Sequence, residues 1–257
     1  LAARVALFQN KMTDAANYAE AVLANSSFSL ASTAMDFSKN WVAGSSSPEI
    51  IFAYVNNSRA SSPLNFTLYV NDTDGSWNYA PSDWCYNSLF ADDNTLSRKG
   101  DVRLKATFTS QDANRVIKYP NGTYQLAETS DYTCTPVVIS RISEMYLIKA
   151  EALGKTNGAA ALVEYMKKRY TTAPSEAAIK ALSDKEYQTL ILDERRREFY
   201  AEGMRWQDIK RTNRLELLET LDGRTYLMYY PIPQDEIDMA GTAAYPQNPG
   251  YAGYTGN

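Results

Sequence analysis

Apolar residues recur at helical spacing near both ends of this chain, and a polar stretch rich in aromatics separates the two regions. Leu1 to Asn10 and Thr13 to Leu23 each place apolar side chains on one face, which predicts a helical hairpin. Its small residues (Ala3, Ala6, Ala15, Ala16, Ala19 and Ala21) permit close helix approach, and Asn25-Ser26-Ser27 ends the second helix. A helix–turn–helix of this kind is a tetratricopeptide-like unit, which needs a neighbour to cover its apolar face. A second unit is predicted at Arg141 to Gly154 and Asn157 to Tyr170, with Gly154 placed as a C-cap glycine. Ser175 to Leu182 and Asp184 to Arg211 continue the stack. Within the last of these, Leu192, Phe199 and Trp206 recur every seven residues, so one helix would stack them along one side.

The intervening residues, 31–140, shift to Ser, Asn, Asp, Gly and Tyr. Glu49 to Val55 reads as a buried strand, Arg115 to Tyr119 and Thr123 to Leu126 as a hairpin about Pro120-Asn121-Gly122, and Phe66 to Val70 as a weaker strand. The rest reads as loop, and loops on a rigid frame commonly carry recognition. From Tyr226 to Asn257, Pro231, Pro233, Pro246 and Pro249 exclude a long helix and predict an extended strap. The expected class is therefore mainly α, with helical hairpins at 1–30 and 141–225, a loop-rich insert with short β-strands at 31–140, and a C-terminal strap at 226–257.

Composition narrows the chemistry. The 257 residues hold 26 Lys and Arg against 30 Asp and Glu, a net charge of −4, so nothing draws the chain as a whole to nucleic acid. There is no histidine, which removes Ser-His-Asp and Cys-His catalysis and the common zinc sites. Cys85 and Cys134 are neither a CxxC motif nor a framework; pairing and two buried thiols are both open. Tyrosine dominates the aromatics, with 19 tyrosines and 4 tryptophans, a composition suited to surfaces that are apolar on one side and hydrogen-bonding on the other.

Charges crowd the segment from Leu190 to Thr212. Asp193 with Arg197 is an i,i+4 pair, and Glu194 with Arg197, Arg195 with Glu198, and Glu202 with Arg205 are i,i+3 pairs. The consecutive arginines diverge around a helix, which argues against a phosphate grip, and each carboxylate has an arginine within reach, which argues against a general acid. The expected role is structural, with the charges satisfying one another and Gly203 marking a break or a tight contact point. Asp101 and Arg103 read as an ion pair fixing a turn. Asp92-Asp93 and Asp72-x-Asp74 lack the spacing of a calcium loop, so no metal and no cofactor is expected. Trp41 and Tyr54 read as core.

The richest candidate site is Trp77 to Asn87. Sugars present an apolar C–H face and a rim of hydroxyls; a Trp or Tyr ring stacks on the first, and Asn or Asp bonds the second. Trp77, Asn78, Tyr79, Asp83, Trp84 and Tyr86 are the candidate ligand-binding residues. The competing reading is that these rings plug the junction between insert and helices. If Pro81-Ser82-Asp83 caps a short helix, Trp84 points inward and Trp77 becomes the better contact.

Four stretches also resemble one known family. ERRREFYAEGMRWQDIKRT, RISEMYLIKAEAL from Arg141, YYPIPQDEID from Tyr229 and PQNPGY from Pro246 are similar, in order, to signatures of the SusD/RagB family of Bacteroidetes, with Glu194, Arg195, Arg197, Glu198, Gly203, Arg205, Trp206 and Asp208 as its structural signature. The resemblance implies a lipid-anchored nutrient-binding protein on the outer-membrane surface. Such a protein captures an oligosaccharide, less often a peptide, without chemistry and passes it to a SusC-like TonB-dependent transporter. It also implies a longer protein, with a removed signal peptide, a lipid anchor and further helices ahead of Leu1. Two other functions are open: a glycoside hydrolase using two of Asp83, Asp92, Asp93 and Asp101, and a helical scaffold that binds a protein.

Overall fold

The computed structural model describes residues 1–42, 47–55, 70–71, 76–77, 81–108, 116–119, 135–218, 221–241 and 246–252, with backbone alone at 70–71 and 76–77. The hairpin at 120–126, residues 66–69, Asp72, Asp74, Asn78, Tyr79 and Cys134 lie outside them. The chain forms two compact units, Leu1–Met204 and Arg205–Asn257.

In the first unit, α1 (Ala2–Phe8) and α2 (Met12–Leu23) form the expected hairpin. Ala3, Ala6, Ala15 and Ala19 are buried where these helices meet, packing with Ile142, Met145 and Ile148. Those three residues open α5 (Ile142–Arg169), which breaks at Gly154 (φ 66°, ψ 175°), the left-handed position expected of a C-cap glycine. The second arm of α5 folds back on the first, so Leu147, Leu162, Tyr165 and Met166 form a core with Ile179 and Ile191. These last two come from α6 (Glu176–Ala181) and α7 (Asp184–Glu198). Ser183 starts α7 with a capping box: its Oγ accepts from the Glu186 amide, and Glu186 Oε2 accepts from the Ser183 amide at 2.7 Å.

At Gly158 the two arms of α5 approach closely. A Cβ there would lie 2.2 Å from the Ala150 carbonyl oxygen and 2.9 Å from the Tyr187 hydroxyl. Because one clash is with backbone, Gly158→Ala is expected to cost about 1–3 kcal/mol. Urea unfolding reads this as a lower midpoint at unchanged slope. An unchanged midpoint would mean that the arms can part freely.

The insert holds more helix than its composition suggests. Among the described residues, α3 (Ala34–Ser38) and α4 (Val102–Thr107) fill stretches read as loop. Thr33 caps the first by accepting from the Asp36 amide, and Asp101 caps the second by accepting from the Arg103 amide. Among the strands, β1 (Ile50–Tyr54) lies within the predicted stretch and pairs antiparallel with β5 (Val137–Arg141). It is not buried, however: in a two-stranded ribbon one face has no sheet to cover it, and Tyr54, read as core, is 60% exposed. Trp41 is fully buried as expected, edge-on to Phe37 and Tyr119. The backbones of β2 (Val70–Asn71) and β3 (Ser76–Trp77) pair, as do β4 (Lys99–Asp101) and β6 (Tyr170–Thr172). Val116 makes one bridge, to Phe108, in place of the expected strand.

The stretch Asp184 to Arg211 forms two helices, with the chain turning at the glycine marked in the sequence. α7 ends at Glu198, positive φ at Ala201 (64°) and Gly203 (77°) turns the chain, and α8 (Arg205–Thr212) begins the second unit. Leu192, Phe199 and Trp206 therefore do not share one helical face. In the second unit, Asp208 accepts from Arg211, and Arg205 donates to the Leu217 carbonyl. The prolines keep helices short here; among the described residues after Met228 the longest is α9 (Gln234–Ala240). The two C-terminal signatures clasp each other. Gln247 bonds both the amide and the carbonyl of Ile232, Asn248 donates to the Tyr230 carbonyl, and the Tyr251 hydroxyl donates to the Tyr229 carbonyl. Among the described residues no helix is long and apolar enough to cross a membrane.

Candidate functional site

The signature on α7 folds inward. Glu194, Arg195, Arg197 and Glu198 are all buried. The local pair Glu194–Arg197 forms at 2.9 Å as the spacing predicts. Most of the remaining charge is met by residues far away in sequence. Glu198 Oε1 accepts from Arg141 (2.5 Å) and Arg169 (3.0 Å), while its Oε2 accepts from Arg169 (2.9 Å), the Tyr165 hydroxyl (2.8 Å) and Arg103 (3.3 Å). Glu194 accepts from Arg103 and the Tyr170 hydroxyl. Arg103 is also paired to Asp101 at 2.7 Å, the ion pair read from the sequence, and Arg169 to Glu49 at 2.7 Å.

This network ties the insert to the helical frame. Burial alone would raise the pKa of Glu198, but Arg169 and Arg141 outweigh it and hold the carboxyl well below its ordinary value. Arg103 and Arg197 likewise overcome burial at Glu194 and lower it. Lys118, fully buried over the Trp41 ring, donates to the carbonyls of Glu198 and Tyr200 and to Glu202. Burial pushes it down to about 8 against the opposing pull of Glu202.

The same frame presents the aromatic segment. Ser82 Oγ accepts from the Cys85 amide at 3.2 Å, and a π-helical turn follows at Cys85–Leu89. Cys85, Leu89 and Phe90 are buried against Phe108 and Val116, with Tyr86 and Tyr200 packed beside them. Arg197 Nε donates to the Leu89 carbonyl at 2.5 Å and so pins the turn to α7. The short helix read as an alternative thus forms, but Trp84 does not point inward. Its ring is 44% exposed, with the Arg196 guanidinium 4.5 Å from its centroid. Asp83 is exposed beside it. Tyr86 is half-buried and edge-on to Phe108, so its ring packs on the apolar cluster. For Trp77 only the backbone in β3 is described, and Asn78 and Tyr79 lie outside the described residues.

Three of the four acids considered for hydrolysis have structural bonds. Asp101 holds Arg103, Asp92 accepts from the Gly100 amide, and Asp93 accepts from the amides of Thr95 and Leu96. Among the described residues no acidic or cysteine cluster is shaped to hold a metal. Sequence reasoning missed the long-range partners Glu49, Arg141 and Arg169. It also missed a groove of about 550 Å³ on α7, lined in part by Leu96, Leu182, Thr189 and Asp193. The capping box at Ser183-x-x-Glu186 was the one available marker of the groove's edge.

The fold has counterparts in known proteins. A SusD-like protein of Formosa agariphila is 30% identical over 142 residues, covering 50% of this chain and 27% of that protein. A SusD superfamily protein of Bacteroides thetaiotaomicron superposes with a TM-score of 0.62 at 23% identity, over 96% of this chain and 58% of that one. Surface glycan-binding protein A of the same species, solved with laminarihexaose, gives 0.59 at 20% identity, over 96% and 62%. At these identities the structural likeness is one of fold. The chain spans about a quarter of the curated relative and about three-fifths of these structures. The profile described as the SusD family matches residues 90–224, more than half of the chain, and this stretch holds α5, the buried signature of α7 and the Asp101–Arg103 pair; the chain belongs to the SusD family.

Proposed function

We propose that this chain belongs to a surface nutrient-binding protein that captures oligosaccharide on an exposed aromatic platform and delivers it, unaltered, to a TonB-dependent outer-membrane transporter. The observation that carries the reading is Trp84: a large ring left 44% exposed on a segment anchored to α7 through Arg197, with a cation over it and Asp83 beside it. One ring stacks on a sugar face while Arg196 and Asp83 meet its hydroxyls. Trp77, Asn78 and Tyr79 precede this platform in sequence and complete the proposed ligand set, with Tyr86 supporting it from below. The family and the glycan-binding relatives of similar fold support the same reading. In the full-length protein a lipid anchor would hold the helical frame at the cell surface, and that frame would face the transporter.

An open platform buries little ligand, so affinity is expected on the order of micromolar to millimolar. Laminarihexaose is a suitable first probe by calorimetry. Trp84→Ala is expected to weaken binding about tenfold, the equivalent of losing roughly 1.4 kcal/mol of stacking. Chromatography of the recovered sugar should show it intact. Unchanged affinity in the variant would move the site away from Trp84, and shortened sugar would replace capture by hydrolysis.

A further inference from the structure

The groove on α7 is separate from the Trp84 ring, yet the helix aligns the two. Thr189, Asp193 and Arg196 stand at i, i+4 and i+7 and so share one face of α7. The first two line the groove, and the third lies over the Trp84 ring. From the Ser183 cap to Arg196 the face runs about 20 Å at 1.5 Å per residue. We propose that the groove is a second subsite, in line with the platform along α7, and that α7 thereby selects a linear, neutral oligosaccharide. The inference rests on the glycan-binding reading of Trp84.

The lining indicates the ligand class. At about 550 Å³ the groove falls within the usual range for small-molecule sites. Its apolar part is Leu96, Leu182 and Leu190, three branched side chains with no aromatic among them, so a sugar here would be held edge-on rather than stacked. Its charges balance, three acids against three bases, which leaves little net field to draw a phosphate or a uronate. Two of those bases are already committed. Arg197 holds the Leu89 carbonyl and Glu194, and Arg98 holds the Tyr170 hydroxyl and the Ala91 carbonyl. Lys185 and Glu186 are exposed at the rim, Glu186 with one oxygen on its Ser183 cap, and Asp193 is half-buried, so one wall offers both a donor and acceptors. Sugar hydroxyls both donate and accept, and such a wall suits them better than it suits an ion of either sign.

Calorimetry on the chain with laminaribiose, laminarihexaose and an anionic hexagalacturonate separates the possibilities. The hexasaccharide is expected to bind about tenfold more tightly than the disaccharide, and more tightly than the uronate. Thr189→Trp, which fills the groove, and Lys185→Ala, an exposed change with little risk to folding, should each reduce the advantage of the longer sugar while leaving disaccharide binding unchanged. Disaccharide binding with the length advantage intact in both variants would overturn the groove and leave the platform standing. Tighter binding of the uronate would overturn the neutral class. Binding of no glycan at all would overturn the platform, and the groove with it.

Discussion

Glu198→Gln is expected to destabilise the fold by about 3–5 kcal/mol at neutral pH, the usual cost of removing one partner from a buried ion pair. The side chain keeps its size, so packing is not the reason. Glu198 is the shared acceptor of Arg103, Arg141 and Arg169, all with side chains about 1% exposed or less. The amide carries no charge to offset these three cations, and its NH2 group meets donors where an acceptor is required. Glu20→Ala gives the contrast. Glu20 pairs with Lys149 at the surface, and its loss is expected to change stability by less than about 1 kcal/mol. Urea midpoints of the two variants measure the difference. A Glu198→Gln protein within 1 kcal/mol of the parent would show that the arginines find other partners or water.

Acid is expected to act at the same place. The folded-state pKa of Glu198 lies well below the ordinary value of 4.5, and that of Glu194 is also lowered. A depressed carboxylate stabilises the fold fully above its unfolded pKa. That stability drains away as pH falls below about 4.5 and continues to fall toward the folded value. Below pH 4.5 the unfolded chain takes up protons that the folded chain refuses, which fixes the sign. Thermal unfolding between pH 7 and pH 2 should therefore show a plateau and then a steep decline of the midpoint. In Glu198→Gln the decline should be shallower, because one proton uptake is gone. A parent and variant with parallel profiles would place the acid sensitivity elsewhere.

These two results bear on function through geometry. The residues that hold the network together also position the proposed recognition surface. Arg197 pairs with Glu194 and donates to Leu89, five residues from Trp84. Arg196, the next residue back, turns outward to the ring itself. Loosening the network is thus expected to blur the platform before the helices melt, since the turn at Cys85–Leu89 has only a small apolar cluster of its own.

Much of this was legible in the sequence. Helical periodicity, small residues at the α1–α2 crossing and the glycine at 154 locate the hairpins, because such local patterns depend only on the residue's own backbone and its neighbours three and four away. The Asp101–Arg103 pair was visible for the same reason, as both partners sit within one turn. Charge content also read correctly as structural, and the local Glu194–Arg197 pair formed, but most of the wiring is long-range. Local spacing offers Glu198 only Arg195, whereas the fold brings it arginines from α4, the end of β5 and the end of α5. The apolar run from Glu49 to Val55 marked a strand without revealing that its partner is 137–141, or that one face stays open.

The sequence by itself determined the helical class and the family, since propensity, spacing and motif are properties of neighbouring residues. Only the tertiary structure decided which charges meet, that Trp84 faces outward while Tyr86 packs, and that a groove lies along α7. Those outcomes depend on which distant segments share a buried site, and in that low-dielectric space each unpaired charge carries a penalty large enough to choose the arrangement.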